Sequence, residues 1–300
     1  MQTTNSSDKH QLANIAVNLG LVYNIILALL KTFFGIVGHS RALLADGINS
    51  TADVVYYIIV KVLLFLSKKP ADKEHPYGHQ QLESVASLVV GAFVLTTAIA
   101  IFWNSINSAF DFIINGQKEI PLGWLVLVIA LATVFSKIAM YFYTQNIYRK
   151  TKNPAVRALA MDHRNDILAA GAAAIGLQLS RLRFYYLDPA AGAVVAIFIF
   201  LTGIDIIRES SFELMDTLPD ENFRKSIVQT SKLVPEIIRV SRIGVHRFGS
   251  KFILNLTVEI DGKLSVHDGD TLADKFEDAL KERFTGSLLR TNIHYHPEQK

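Results

Sequence analysis

Two apolar stretches of the chain each carry oxygen-bearing side chains spaced four residues apart. Asn49 and Asp53 lie in "LLADGINSTADVVYYIIVKVLLFL", and Asp162 and Asp166 lie in "AMDHRNDILAAGAAAIG". Residues at this spacing share one face of a helix. Because isolated carboxylates are costly in hydrocarbon, a cation held between the two pairs is the simplest compensation. The four residues therefore predict a metal site with oxygen ligands, built between two helices.

Two points about this prediction stay open from the sequence. The acids could instead be neutral, or bonded to neighbouring serines, Arg164 and the backbone. Asp46 lies three residues before Asn49 on the same face, and it either joins the site or only caps its helix near the outer surface.

A second group of donors lies in the polar stretch "KKPADKEHPYGHQQLE". Asp72, His75 and His79 could meet one metal ion through one carboxylate and two imidazoles. Alternatively, the segment only shapes the loop, with Pro76 and Gly78 making a turn.

Half of the 300 residues are hydrophobic, and the chain contains several apolar windows of twenty or more residues. This pattern indicates a membrane protein with several spans. Since the polar N-terminus lacks the features of a cleaved secretory signal, we expect the first apolar run to be retained. Without cysteine, any metal site must use oxygen and imidazole nitrogen. The six predicted spans cover residues 13–36, 42–66, 82–110, 120–146, 156–179 and 187–208.

The last 88 residues differ in character, because they hold 27 of the 57 charged side chains. We therefore predict a transport domain over 1–212 and a soluble domain over 213–300. Apolar residues alternate in "KFILNLTVEIDG" and follow a helical stripe in "TLADKFEDALKERF". With a helix near 220–232 and strands near 237–247 and 291–296, the predicted order is αββαβ. A net charge of +3 without a basic run gives no reason to expect a nucleic-acid partner.

The distribution of lysine and arginine between the spans predicts the orientation. With the N-terminus inside, nine basic residues fall on inner segments and four on outer ones. An even number of spans then places both termini in the cytoplasm. The inner residues are Lys9, Lys68, Lys69, Lys73, Arg149, Lys150, Lys152, Arg157 and Arg208, and the outer ones are Arg41, Lys118, Arg181 and Arg183.

Three motifs together resemble the cation diffusion facilitator family of divalent-metal/proton antiporters. They are "ADGINSTADV", "KPADKEHPYGHQQLESVASL" and "DHRND", in that order along the chain. The resemblance implies an α-helical membrane protein of six spans with a small cytoplasmic α+β domain, similar to a metallochaperone, that pairs in a homodimer. It also implies that Asn49, Asp53, Asp162 and Asp166 form the transport site, and that the loop donors form a second metal site in some members.

Zinc-transporting members of this family typically have histidine at one or both first positions of the two pairs. Asn49 and Asp162 stand there instead, and this departure resembles the manganese-type subgroup. Three carboxylates and one amide also suit a hard cation such as manganese(II). Iron(II), cobalt(II) and zinc remain the alternatives.

The C-terminal domain offers a further candidate site through the resemblance. His294 and His296 alternate on the last predicted strand, so both imidazoles face one side. Together with Asp270 they resemble positions where some members bind a regulatory metal, although Asp270 stands where zinc-type members tend to have histidine. The alternative is that these are solvated histidines at the end of a strand.

The sequence thus predicts a homodimeric antiporter, not an enzyme, in the plasma (inner) membrane. It would export manganese(II) from the cytoplasm in exchange for protons by alternating access, without a cofactor. Two other classes compete with this reading. An intramembrane aspartyl protease normally has one aspartate on each of two helices, whereas two lie on each helix here. A divalent cation channel would conduct without coupling to protons.

Overall fold

The computed structural model describes residues 6–37, 41–115, 124–181, 187–217, 220–248 and 251–298. The chain divides into two compact units, one formed by Ser7–Ser210 and the other including Ser211–Lys300.

Six long helices make up the first unit, and the last of them continues into the first residues of the second unit. The shortest has 26 residues, so at about 1.5 Å per residue it exceeds the roughly 30 Å of a bilayer's hydrocarbon core. Five of the predicted spans fall within one of these helices each, and the fourth, 120–146, falls on α4 except for residues 120–123, which lie outside the described residues. The helices are α1 (Ser6–Val37), α2 (Arg41–Leu66), α3 (Leu82–Asn115), α4 (Trp124–Thr151), α5 (Pro154–Arg181) and α6 (Leu187–Leu214).

Among the described residues, three segments are long and apolar enough to cross a membrane by composition alone. They are Lys9–Phe34 in α1, Leu82–Asp111 in α3 and Pro189–Leu214 in α6. The other three long helices carry charged residues within their length. In α2, α4 and α5 these residues include Asp53, Lys137, Asp162 and Asp166. These helices therefore supply charged side chains that can build a polar site.

Aromatic side chains of α2 form the centre of the helical core. Tyr56 and Tyr57 are at most 2% exposed, and they belong to one cluster with Ala86 of α3 and Leu159 of α5. Gly20 of α1 lets that helix come close, since a Cβ at this position would lie 2.3 Å from the Tyr57 ring. The sequence thus positions both phenols between helices rather than towards lipid.

The second unit contains a three-stranded sheet and two helices in the predicted αββαβ order. Its elements are α7 (Glu221–Ser231), β1 (Arg239–Phe248), β2 (Lys251–Ile260), α8 (Val266–Arg283) and β3 (Leu288–Pro297). The central strand β2 pairs antiparallel with β1 and parallel with β3. The parallel pairing is possible because α8 provides the crossover connection.

The helix stripe of α8 packs on the sheet, as its sequence periodicity predicts. Phe276 and Leu280 are fully buried and share a core with Leu254 of β2. The expected one-sided burial of β2 is incomplete, because Glu259 on its other face is also buried. There the Arg239 Nη2 donates a hydrogen bond of 2.6 Å to the Glu259 carboxylate. The unit therefore has a hydrophobic core of its own.

Candidate metal site

The candidate site centres on one turn of α5. Donor atoms of Asp162, His163 and Asp166 all lie within 4.8 Å of one another, and we call these three residues the α5 cluster. Asp162 is 9% exposed and His163 is fully buried. Since two carboxylates and an imidazole converge, the cluster has the donor types and the spacing to hold a divalent cation.

Two tyrosines of α2 bind the first residues of this cluster. The Tyr56 hydroxyl donates a hydrogen bond to the Asp162 carboxylate, and the Tyr57 hydroxyl lies 3.1 Å from His163 Nε2. Asp53 precedes these tyrosines by three and four residues, so it shares their helix face. Its charge interacts with Asp162. The group of donor atoms within 4.8 Å of one another does not include Asp53, so its membership of one site with the second pair stays a prediction.

The other predicted oxygen donors of α2 are Asn49 and Asp46. Both positions belong to the helix, but their side chains lie outside the described residues. Their roles, as a ligand and as a ligand or cap, stay predictions.

An unexpected partner of the cluster is Lys137 of α4. Its ammonium forms an ion pair with the Asp166 carboxylate, and the lysine side chain is only 6% exposed. The same Nζ lies 3.4 Å from Asn24 Oδ1 and 5.6 Å from the centre of the Tyr23 ring, both in α1. Charge compensation for Asp166 therefore comes from a third helix, which the sequence analysis did not consider.

Arg164 is the predicted alternative partner of the acids, and its described contacts lie elsewhere. Arg164 Nη2 donates to the Thr202 hydroxyl of α6 at 2.9 Å. The alternative of protein-bonded acids nevertheless describes part of the site, because Asp162 accepts from Tyr56 and Asp166 pairs with Lys137.

The residues that sequence reasoning missed are His163, Tyr56, Lys137 and Asn24. Each of these residues has a position in the sequence that could have pointed to it. His163 stands between the two aspartates of the quoted motif, and Tyr56 lies one helical turn after Asp53. Lys137 and Asn24 are polar residues within apolar stretches of their helices, a context in which such residues commonly serve function. His163 adds an imidazole near a donor set that was predicted to contain oxygen alone.

The loop donors also lie together. Asp72, His75 and His79 have donor atoms within 4.8 Å of one another. Asp72 Oδ1 lies 3.3 Å from His75 Nδ1, and its Oδ2 lies 3.6 Å from His79 Nε2. The same carboxylate accepts the backbone N–H of His75 at 2.6 Å, and this hydrogen bond is the main cause that lowers the pKa of Asp72.

The loop geometry fits both readings of this segment. The Asp72 carboxylate organises a turn, and Gly78 has a φ of +83°, which a residue with a side chain adopts at a cost. The Asp72 carboxylate also presents an ionised oxygen to two imidazoles, those of His75 and His79. Metal binding at Asp72, His75 and His79 stays a prediction.

The structure places the candidate donors of the C-terminal domain less closely. The His294 and His296 rings lie 4.4 Å apart on β3. Asp270 is an exposed residue of α8, and within the described chain these three donors do not form a group within 4.8 Å. Another histidine of this domain, His246, pairs with Asp216. The metal site in this domain also stays a prediction.

Comparison with protein families gives two matches that together cover most of the chain. The model for the cation efflux transmembrane domain matches residues 17–215, and that for the cytoplasmic domain of cation efflux proteins, a dimerisation domain, matches 219–298. The chain belongs to the cation efflux family. The resemblance and the fold class predicted from its motifs are thereby confirmed. Members of this family are transporters, and their C-terminal domain is cytoplasmic.

Several curated relatives of this cation efflux protein match it nearly end to end. It is 30% identical to the manganese efflux system protein MneP of Bacillus subtilis, over 97% of this chain and 98% of that protein. It is 27% identical to MneS, a second manganese efflux system protein of that organism, over 92% and 93%. The magnetosome protein MamM of Paramagnetospirillum magneticum is 27% identical over 87% and 81%.

Proposed function

We propose that this cation efflux protein exports manganese(II) from the cytoplasm in exchange for protons. The observation that carries the proposal is the close approach of the Asp162 and Asp166 carboxylates on α5, with the charge of Asp53 on α2 acting on Asp162, in a chain of the cation efflux family. Asn49 completes the proposed donor set. Buried carboxylates that lie close together repel one another, so a divalent cation among them offsets a cost that the fold otherwise bears.

Manganese is the proposed substrate because the acids supply hard oxygen donors. Two relatives that match the chain nearly end to end are named as manganese efflux proteins, which supports the same metal. His163 is the one observation that favours a softer alternative, since imidazole also suits zinc, iron(II) and cobalt(II). An efflux antiporter for one of these metals is therefore the second candidate.

Proton exchange follows from the chemistry of the ligands. Metal ligands must be deprotonated, so a proton and a metal ion compete for the same carboxylates. In alternating access, Asp53, Asp162 and Asp166 bind the ion when the site opens to the cytoplasm, and protons replace the ion when it opens outwards. The metal binds by coordination and the protons bind by reversible protonation of the carboxylates, so no enzymatic step is required.

The proposal assigns transport to residues 1–212 and pairing to residues 213–300. The protein would act as a homodimer in the plasma (inner) membrane with both termini in the cytoplasm. On this view the loop donors Asp72, His75 and His79 bind a second metal ion near the inner face, and Asp270, His294 and His296 belong to a metal-responsive C-terminal domain.

The choice of manganese is tested by exchanging the donors at the first positions of both pairs. The double variant Asn49→His/Asp162→His supplies two imidazoles and removes one negative charge, which favours a smaller tetrahedral ion. We expect its ratio of manganese to zinc transport to fall at least about tenfold, a change of about 1.4 kcal/mol in relative barrier height. Competitive uptake of both metals into vesicles at fixed pH measures this ratio.

A matched control is Asn107→His/Asp111→His, which replaces the same two residue types, one asparagine and one aspartate, near the C-terminal end of α3. The control should keep the ratio of the wild type. An unchanged ratio in a site variant that still transports one of the metals would show that selectivity is set elsewhere.

A further inference from the structure

Lys137 lies against one of the carboxylates that are proposed to bind the transported cation. Its ammonium contacts the carboxylate of Asp166, one of the proposed metal ligands, and its side chain is 6% exposed. The Lys137 charge also interacts with Asp53 and Asp162. A metal ion bound by the same three carboxylates would carry two positive charges into the immediate neighbourhood of a third. Charges of like sign so close together in a poorly hydrated site repel each other.

The surroundings of Lys137 offer a second position for its ammonium. Asn24 Oδ1 lies 3.4 Å from Nζ, and the Tyr23 ring centre lies 5.6 Å away. A carbonyl oxygen accepts a hydrogen bond from an ammonium, and an aromatic face attracts it. The Asn24 side chain is fully buried, and its Nδ2 makes no hydrogen bond in the structure. A small shift of the long lysine side chain would therefore exchange the carboxylate for neutral partners.

We propose that Lys137 is a tethered cation that competes with the transported metal for Asp166. Without metal, the ammonium pairs with Asp166 and keeps the acids from facing one another uncompensated. When a metal ion enters, the ammonium moves towards Asn24 and Tyr23, and its return to Asp166 promotes release of the ion. This inference rests on the proposed function of the acidic site, and it assigns Lys137 a positioning role that sets metal affinity and release.

The test compares manganese binding and transport in the full-length protein. We expect Lys137→Met to tighten the dissociation constant for manganese at least about tenfold, which corresponds to about 1.4 kcal/mol. Because release slows, kcat and KM for transport in proteoliposomes should both fall. Lys137→Arg keeps the charge and should stay near the wild type. Lys61→Met removes an exposed lysine of α2 and serves as the matched control, which should change neither constant.

A lysine that only stabilises the fold would be distinguished by a second variant. Asn24→Leu removes the alternative acceptor but keeps Lys137, so the ammonium stays on Asp166 and manganese should bind several-fold more weakly. The two substitutions thus shift affinity in opposite directions. If Asn24→Leu binds manganese as the wild type does, or if Lys137→Met binds it no tighter, the competition model is wrong. This outcome is separable from a failure of the proposed function, in which Asp166→Asn would still bind and transport manganese normally.

Discussion

Because Lys137 and Asp166 form an ion pair, we expect the variant Asp166→Ala to affect both transport and folding. Transport should be lost because the metal loses a charged ligand. Folding should also be weakened, because the Lys137 ammonium remains in a largely buried position without its carboxylate. Breaking one side of a buried pair typically costs about 3–5 kcal/mol. Since the Asp166 side chain is 28% exposed, we expect the lower end, about 3 kcal/mol.

Thermal unfolding of the purified protein in detergent measures the second effect. At roughly 2–4 °C per kcal/mol, Asp166→Ala should melt about 6–12 °C below the wild type. The double variant Lys137→Met/Asp166→Ala removes both charges and should recover most of that loss while transport stays absent. Asp205→Ala, which removes an exposed acid of α6, is the control for both measurements.

Two results would refute this reasoning separately. If Asp166→Ala transported manganese at the normal rate, the carboxylate would not be a ligand. If it melted like the wild type while the double variant melted lower, Asp166 would not be the group that compensates Lys137.

Three further predictions concern the parts outside the membrane helices. Replacing both His75 and His79 with Ala should remove one bound metal per protomer and change the transport rate, whereas an unchanged metal count by equilibrium dialysis favours a purely structural loop. The fragment 213–300 has its own core and should sediment as a dimer, so a monomer over the micromolar range would place the dimer interface in the membrane domain. The hydrogen bond from Ser265 lowers the pKa of Asp268 from its ordinary value of 3.8. The ionised carboxylate therefore stabilises the fragment above pH 3.8, and this stabilisation is lost as the pH falls through the lowered pKa of the folded state. Ser265→Ala should reduce the acid-induced drop in melting temperature, and an identical pH profile would contradict it.

The fold was largely predictable from the sequence because its strongest patterns are local. Runs of apolar residues long enough for a bilayer predict helices whatever their neighbours are. In the C-terminal domain, Leu272, Phe276 and Leu280 form a stripe that a single helix face must bury, and the structure buries it. Helix ends were less predictable, since α4 and α6 continue past the apolar run to Thr151 and Leu214.

The acidic pair of α5 was also visible in the sequence, because the spacing of Asp162 and Asp166 is itself a helix period. Partners from distant helices were not. Lys137 is separated from Asp166 by 29 positions and Asn24 from Lys137 by 113, so only the packing of α1, α4 and α5 brings them together. The sequence places Tyr56 on the same helix face as Asp53, but it does not show that Tyr56 donates a hydrogen bond to the Asp162 carboxylate.

The most direct test of the account is manganese uptake into proteoliposomes under an imposed pH gradient, with a pH-sensitive dye inside. A proton gradient directed out of the vesicles should drive manganese into them, while protons leave. We also predict that Asp53→Ala abolishes both movements while the protein still folds. Manganese flux that leaves the internal pH unchanged, or that continues at the normal rate in Asp53→Ala, would contradict proton-coupled transport through this acidic site.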